Sequence, residues 1–96
     1  MTWPMRVPVG HLVESLTGRD KGQLYVVIGH GTQPFILVAD GRNRKAANPK
    51  KKNVRHVKPV RSIAETVAYN LTVAGKVTDE ELRQAISNHV QRMVER

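Results

Sequence analysis

The chain has no cysteine in its 96 residues. That excludes disulfides, thiolate-ligated zinc and a thiol nucleophile, and it suits a reducing compartment. Aromatics are scarce: one Trp, two Tyr and one Phe. Trp3, Tyr25, Phe35 and Tyr69 are expected mostly to pack inside, which leaves few rings for stacking on bases. No run of about eighteen apolar residues occurs, so no membrane-spanning helix is expected. The opening "MTWPMRVPVG" lacks the apolar centre of a secretory signal, and a cytoplasmic location is expected. The four histidines (His11, His30, His56, His89) stand too far apart for a ligand pattern, and no Ser–His–acid grouping is evident. No enzymatic activity, no metal and no cofactor are therefore expected.

The most informative absence is local. Between residues 41 and 64 there is no Asp or Glu, while nine Lys and Arg fall there: Arg42, Arg44, Lys45, Lys50, Lys51, Lys52, Arg55, Lys58 and Arg61. The whole chain has sixteen basic and eight acidic residues, so everything outside this segment sums to −1 and the segment alone to +9. Charge that served only solubility would be spread out. One concentrated block points to a polyanionic partner, most often nucleic acid.

The hydrophobic pattern predicts several short strands with close turns: "HLVESL" (11–16), "QLYVVIG" (23–29), "FILVA" (35–39) and "VRHVKPV" (54–60). Pro59 would end the last strand's register or place it at an edge. Burial of Leu24, Val26, Ile28, Ile36 and Val38 is expected, with Leu24, Val26 and Ile28 facing one way and Tyr25 and Val27 the other. Residues 42–53 have no periodicity and read as a long loop. Near the end, "TDEELRQAISNHVQRMVER" (78–96) reads as a helix. Thr78 and Glu81 have capping-box spacing, and Leu82, Ala85, Ile86, Val90, Met93 and Val94 form an apolar stripe. Residues 62–76 predict a second helix, with Ser62 and Glu65 repeating the capping spacing and Gly75 at its end. The reading is a mainly-β domain over 1–61, a small barrel with a basic loop at 41–55, followed by a helical extension over 62–96.

The stretch "TGRDKG" (17–22) joins the first two strands. It is not a nucleotide-binding loop: only three residues separate Gly18 and Gly22, Lys21 precedes the second glycine, and a strand follows where a helix should. It has hairpin chemistry, with glycines that relax the backbone and an Asp able to bond its own turn.

"VGHLVESLTGRDKGQLYVVIG" (9–29) resembles the KOW motif. "FILVADG", "NPKKKNVRHVKP" and "KVTDEELRQAI" extend the resemblance to the large-subunit ribosomal protein fourteen family of archaea and eukaryotes and to small bacterial KOW proteins. That resemblance implies an SH3-like barrel that binds ribosomal RNA. The expected partners are RNA, above all large-subunit ribosomal RNA, and ribosomal proteins through the C-terminal helix. The expected RNA-binding residues are Arg19 and Lys21 in the first turn, with Arg42, Arg44, Lys45, Lys50, Lys51, Lys52 and Arg55 in the basic segment. Recognition through phosphates and shape is expected. The alternative is an SH3-like protein-interaction module that docks a partner through the barrel or the C-terminal helix. In either case the acidic first turn of that helix is expected to face away from RNA.

Overall fold

The computed structural model describes residues 7–94. Five strands come first: β1 (His11–Ser15), β2 (Leu24–His30), β3 (Phe35–Ala39), β4 (Lys50–Asn53) and β5 (Val57–Ile63). Two helices follow, α1 (Glu65–Val73) and α2 (Asp79–Val94). The strands form one antiparallel sheet in the order β4-β3-β2-β1-β5. Trp3 and Pro4, with the rest of residues 1–6, lie outside the described residues, as do Glu95 and Arg96 at the end of the expected helix.

A small mainly-β domain with C-terminal helices is what the chain forms. The sheet is not closed as a barrel, contrary to the expectation above: β4 and β5 are its two edges, and no ladder joins them among the described residues. Both edges are built against further pairing. β4 is four residues long and carries three lysines, while β5 contains Pro59, which has no N–H to donate. Pro59 is tolerated because β5 has a neighbour on one side only.

Two hydrophobic cores form, one on each face of the sheet. Val13, Tyr25, Val27, Ile36 and Val38 share the first with Val7, Val54 and Val57. Leu12, Val26 and Ala39 join Val67 of α1 and Leu82 of α2 in the second, with Ile28, Leu71, Ala85 and Ile86 packed around them. Of the five residues expected to be buried, Val26, Ile36 and Val38 are so, Leu24 and Ile28 only in part, and the set divides between the two faces. Val26 and Ile28 face the helices, whereas Ile36 and Val38 belong with Tyr25 and Val27 on the opposite face; Leu24 is only half-buried. The alternation within each strand is as expected. The register between strands was not legible, because a bulge between Val27 and Gly29 shifts β2 against β3 by one residue.

Three further boundaries differ. Residues 50–53 are the edge strand β4, not loop, because their backbone pairs with β3 from Phe35 to Val38. Residues 54–56 make a 3-10 turn, not the start of a strand: the Asn53 side chain accepts the Arg55 backbone N–H at 2.9 Å and turns the chain, so β5 begins at Val57. The Ser62–Glu65 capping box does not form. Ser62 is a strand residue whose hydroxyl accepts from Arg92, and α1 starts after Ala64 with no side-chain cap.

α1 is rich in β-branched residues, which lowers its intrinsic stability. It forms because Val67 and Leu71 pack into the second core and because the Ala64 N–H bonds the Gly10 carbonyl at 2.7 Å. At its far end the Gly75 N–H reaches the Asn70 and Leu71 carbonyls. α2 has the expected capping box: the Glu81 N–H donates to Thr78 Oγ1 at 3.1 Å, and the Thr78 N–H donates to Glu81 Oε1 at 2.9 Å. Its stripe is used only in part. Leu82 is buried and Ala85 and Ile86 are half-buried, but Met93 is 59% exposed and Val94 77%.

Candidate functional site

The turn at 17–22 is shaped by its two glycines, at φ +84° for Gly18 and +90° for Gly22. These left-handed conformations are open to glycine at little cost. The turn closes with the Gly22 N–H on the Ser15 carbonyl and the Gln23 N–H on the Asp20 carbonyl, both at 2.8 Å. Its geometry turns Asp20 inward, while Arg19 and Lys21 on either side remain exposed.

Asp20 is the hub of a polar network that covers the first core. Its carboxylate accepts from the Ser15 hydroxyl (2.8 Å), the Tyr25 hydroxyl (2.7 Å), Lys50 Nζ (2.8 Å) and Lys52 Nζ (3.2 Å). Lys52 Nζ also donates to the Thr17 carbonyl at 3.3 Å. Burial alone would raise the Asp20 pKa, but the donors from Lys50, Tyr25, Ser15 and Lys52 together hold it well below the usual carboxylate range. Burial and the bond to Asp20 push the Tyr25 phenol well above its ordinary value, with the nearby Asp20 and Asp40 charges adding to the effect.

This network sorts the basic run Lys50–Lys52 by parity. Lys50 and Lys52 sit opposite Val38 and Ile36 in the ladder, and so share the face of the first core. Their side chains are 31% and 8% exposed, and both ammonium groups are taken by Asp20. Lys52 was expected at the RNA surface; it is a buried structural residue instead, because its strand position points it into the sheet. Lys51 points the other way, is exposed, and holds its Nζ 5.3 Å from the centre of the Phe35 ring. Arg55, on the 3-10 turn, is exposed beside the first turn, since the Leu16 N–H bonds the His56 carbonyl at 2.9 Å. Among the described residues the ion pairs are Lys50–Asp20, Lys52–Asp20 and Lys58–Glu14. Arg19, Lys21, Lys51 and Arg55 thus keep their charges free of carboxylates.

The remaining cations occupy a different setting. Asp40, almost fully buried, accepts the backbone N–H groups of Arg42 (2.9 Å) and Arg44 (2.8 Å) and the side-chain amide of Gln23 (2.9 Å). Asp79, in the first turn of α2, accepts the Ala46 N–H at 2.7 Å. The acidic helix start therefore adjoins the basic loop. Arg42 and Lys45 are exposed and Arg44 half-buried, but all three lie on a loop pinned at both ends by carboxylates. Arg42 also lines a small pocket of about 400 Å³ with Gln23, Arg83, Ile86 and Val90.

Gly41 makes this docking possible. It has φ +78°, and a Cβ there would run into the backbone carbonyl of Asp79 and the Arg83 side chain. Arg83 in turn donates to the Gly41 carbonyl at 2.7 Å. Gly41→Ala is expected to destabilise the domain by about 2–3 kcal/mol, from backbone strain and overpacking together. A urea titration checks this, and a change below about 0.5 kcal/mol would show that the loop and α2 shift apart freely.

Sequence reasoning missed Asp20 as a partner for residues thirty positions away. The available signal was a single acid inside a cationic turn, with lysines at alternate positions of a later segment. The described residues contain no group of three or more His, Asp or Glu side chains able to hold a metal ion, and no helix long and apolar enough to cross a membrane. Comparison of the chain with protein-family models and with curated proteins finds no match.

Proposed function

We propose that this protein binds RNA, as a non-enzymatic KOW-type domain of the ribosomal or ribosome-associated kind, through the cations of its first turn and of the β4 end. The observation that carries this reading is a set of exposed cations, Arg19 and Lys21 in the first turn, Arg55 beside it and Lys51 on β4, none of which pairs with a carboxylate among the described residues. The one acid of that turn is already neutralised by Lys50 and Lys52. A surface of this kind attracts phosphates and does not read bases by itself. Arg19 and Arg55 suit bidentate phosphate contacts, and the lysines act as point charges. The motif resemblance and the small antiparallel sheet with β5 beside β1 support an SH3-like relation, and ribosomal RNA of the large subunit is the RNA it implies. A cytoplasmic location belongs to the same proposal.

Fluorescence anisotropy with a labelled ribosomal RNA hairpin tests it. The affinity is expected to fall steeply with salt, with a log–log slope of about −3 if four phosphates are neutralised at roughly 0.7–0.9 each. No binding at low salt, or a slope near zero, would refute the reading.

A second reading, docking of a protein partner, draws on the exposed Val90, Met93 and Val94 of α2 and Tyr69 and Val73 of α1. These apolar groups are more than the fold uses. In a ribosomal setting, an adjacent ribosomal protein is the partner this face would meet.

A further inference from the structure

Phe35 and Leu37 alternate with the core residues Ile36 and Val38, and so stand on the other face of β3. The helices cover that face at Val26 and Ala39, but neither Phe35 nor Leu37 belongs to the helix-covered core. Both are half-buried. The ammonium of the exposed Lys51 lies 5.3 Å from the centre of the Phe35 ring. Asn53 sits directly opposite Phe35 in the ladder. Its Oδ1 is spent on the Arg55 N–H, which leaves the side-chain amide as a donor beside the ring. Phe35, Lys51 and Asn53 therefore share one face of the β3–β4 edge, a ring with a cation and an amide beside it, and Arg55 follows two residues on with its backbone bonded to Asn53.

We infer that this patch stacks one unpaired RNA base on Phe35, so that the protein prefers RNA with an extruded nucleotide over continuous duplex. This rests on the RNA-binding reading and adds a base contact to it. On binding, Lys51 leaves the ring, where its attraction at an exposed site is weak, for the phosphate of the stacked nucleotide. Arg55 takes a flanking phosphate, and the Asn53 amide donates to an acceptor on the base edge. Every base has a π-face, so the contact selects for an unpaired nucleotide and not for its identity.

The test compares two RNA duplexes with equal numbers of phosphates, one fully paired and one with a single bulged purine. The bulged duplex is expected to bind about tenfold more tightly, the lower part of the range for one base–aromatic stack. The chain has a single phenylalanine, so its ring proton resonances are assigned without ambiguity; they are expected to move upfield with the bulged duplex alone. Phe35→Leu should remove the preference while leaving affinity for the paired duplex unchanged, and Phe35→Trp should keep it. Equal binding of the two duplexes overturns the inference and leaves RNA binding intact. So does a preference with unmoved ring resonances, or one that survives Phe35→Leu in a folded variant. Should Phe35→Leu fail to fold, the resonances of the unaltered protein decide the matter. Failure to bind either duplex at low salt overturns the inference together with the reading beneath it.

Discussion

Replacing Asp20 with alanine is expected to destabilise the domain by about 3–5 kcal/mol, the range for removing one partner from a buried ion pair. The carboxylate is 15% exposed and accepts four hydrogen bonds. Without it, the nearly buried Lys52 ammonium keeps only the Thr17 carbonyl, and the Tyr25 hydroxyl loses its acceptor. A loss of this size is a large part of the whole stability of a small domain, about 5–15 kcal/mol. Lys52→Met in the Asp20→Ala background is expected to recover part of it, because the apolar isostere removes the stranded charge. Urea titration of the two single variants and the double variant measures the coupling. An Asp20→Ala cost under about 1 kcal/mol, the worth of a surface pair, would show that the lysines are solvated in solution and the network is incidental.

The same network sets the pH response. Asp20 has a lowered pKa in the folded state, so its contribution is present in full above the ordinary carboxylate value of 3.8 and is lost as pH falls below it. Tyr25 has a raised pKa, so the neutral phenol favours the fold up to its ordinary value of 10.0, and that advantage is lost as pH climbs beyond it. The acid limb of the stability profile is therefore expected to flatten in Asp20→Ala and to persist in Lys51→Gln.

Changing Arg19, Lys21, Lys51 and Arg55 together to glutamine is expected to weaken RNA binding on the order of a hundredfold at moderate salt, and to flatten the salt slope by about 3. Thermal stability should hardly change, since none of the four pairs with a carboxylate among the described residues. The obvious alternative, replacement of the whole Lys50–Lys52 run, would alter folding and binding together, because Lys50 and Lys52 hold Asp20. Arg42, Arg44 and Lys45 to glutamine make the matching comparison. Their loop is shared with Asp40 and Asp79, and a smaller loss of affinity is expected from them. If the first set leaves affinity and slope unchanged while the second abolishes binding, the phosphate surface lies on the loop and not at the β4 end. If ribosomal association in extract survives both sets, the exposed apolar face of the helices holds the protein there.

Local chemistry accounts for what was legible in the chain. β1, β2 and β3 lie within one residue of their expected limits because alternation and turn residues act over a few positions. α2 begins where Thr78 and Glu81 require it, since a capping box is complete within four residues. The concentration of cations between 41 and 64, and the lack of acids there, are likewise facts of composition. Other features depend on partners far away in the chain. The run at 50–53 has no strand-like composition and becomes a strand because β3 offers it a free edge. α1 is a poor helix that packing holds in place. Above all, the number of basic residues says nothing about how many are available. Lys50 and Lys52 are withdrawn by an acid thirty residues earlier, whereas Lys51 between them is left to solvent and to Phe35. Charge belongs to each residue alone, but burial and pairing arise only when the folded chain brings distant groups within a few ångströms of one another.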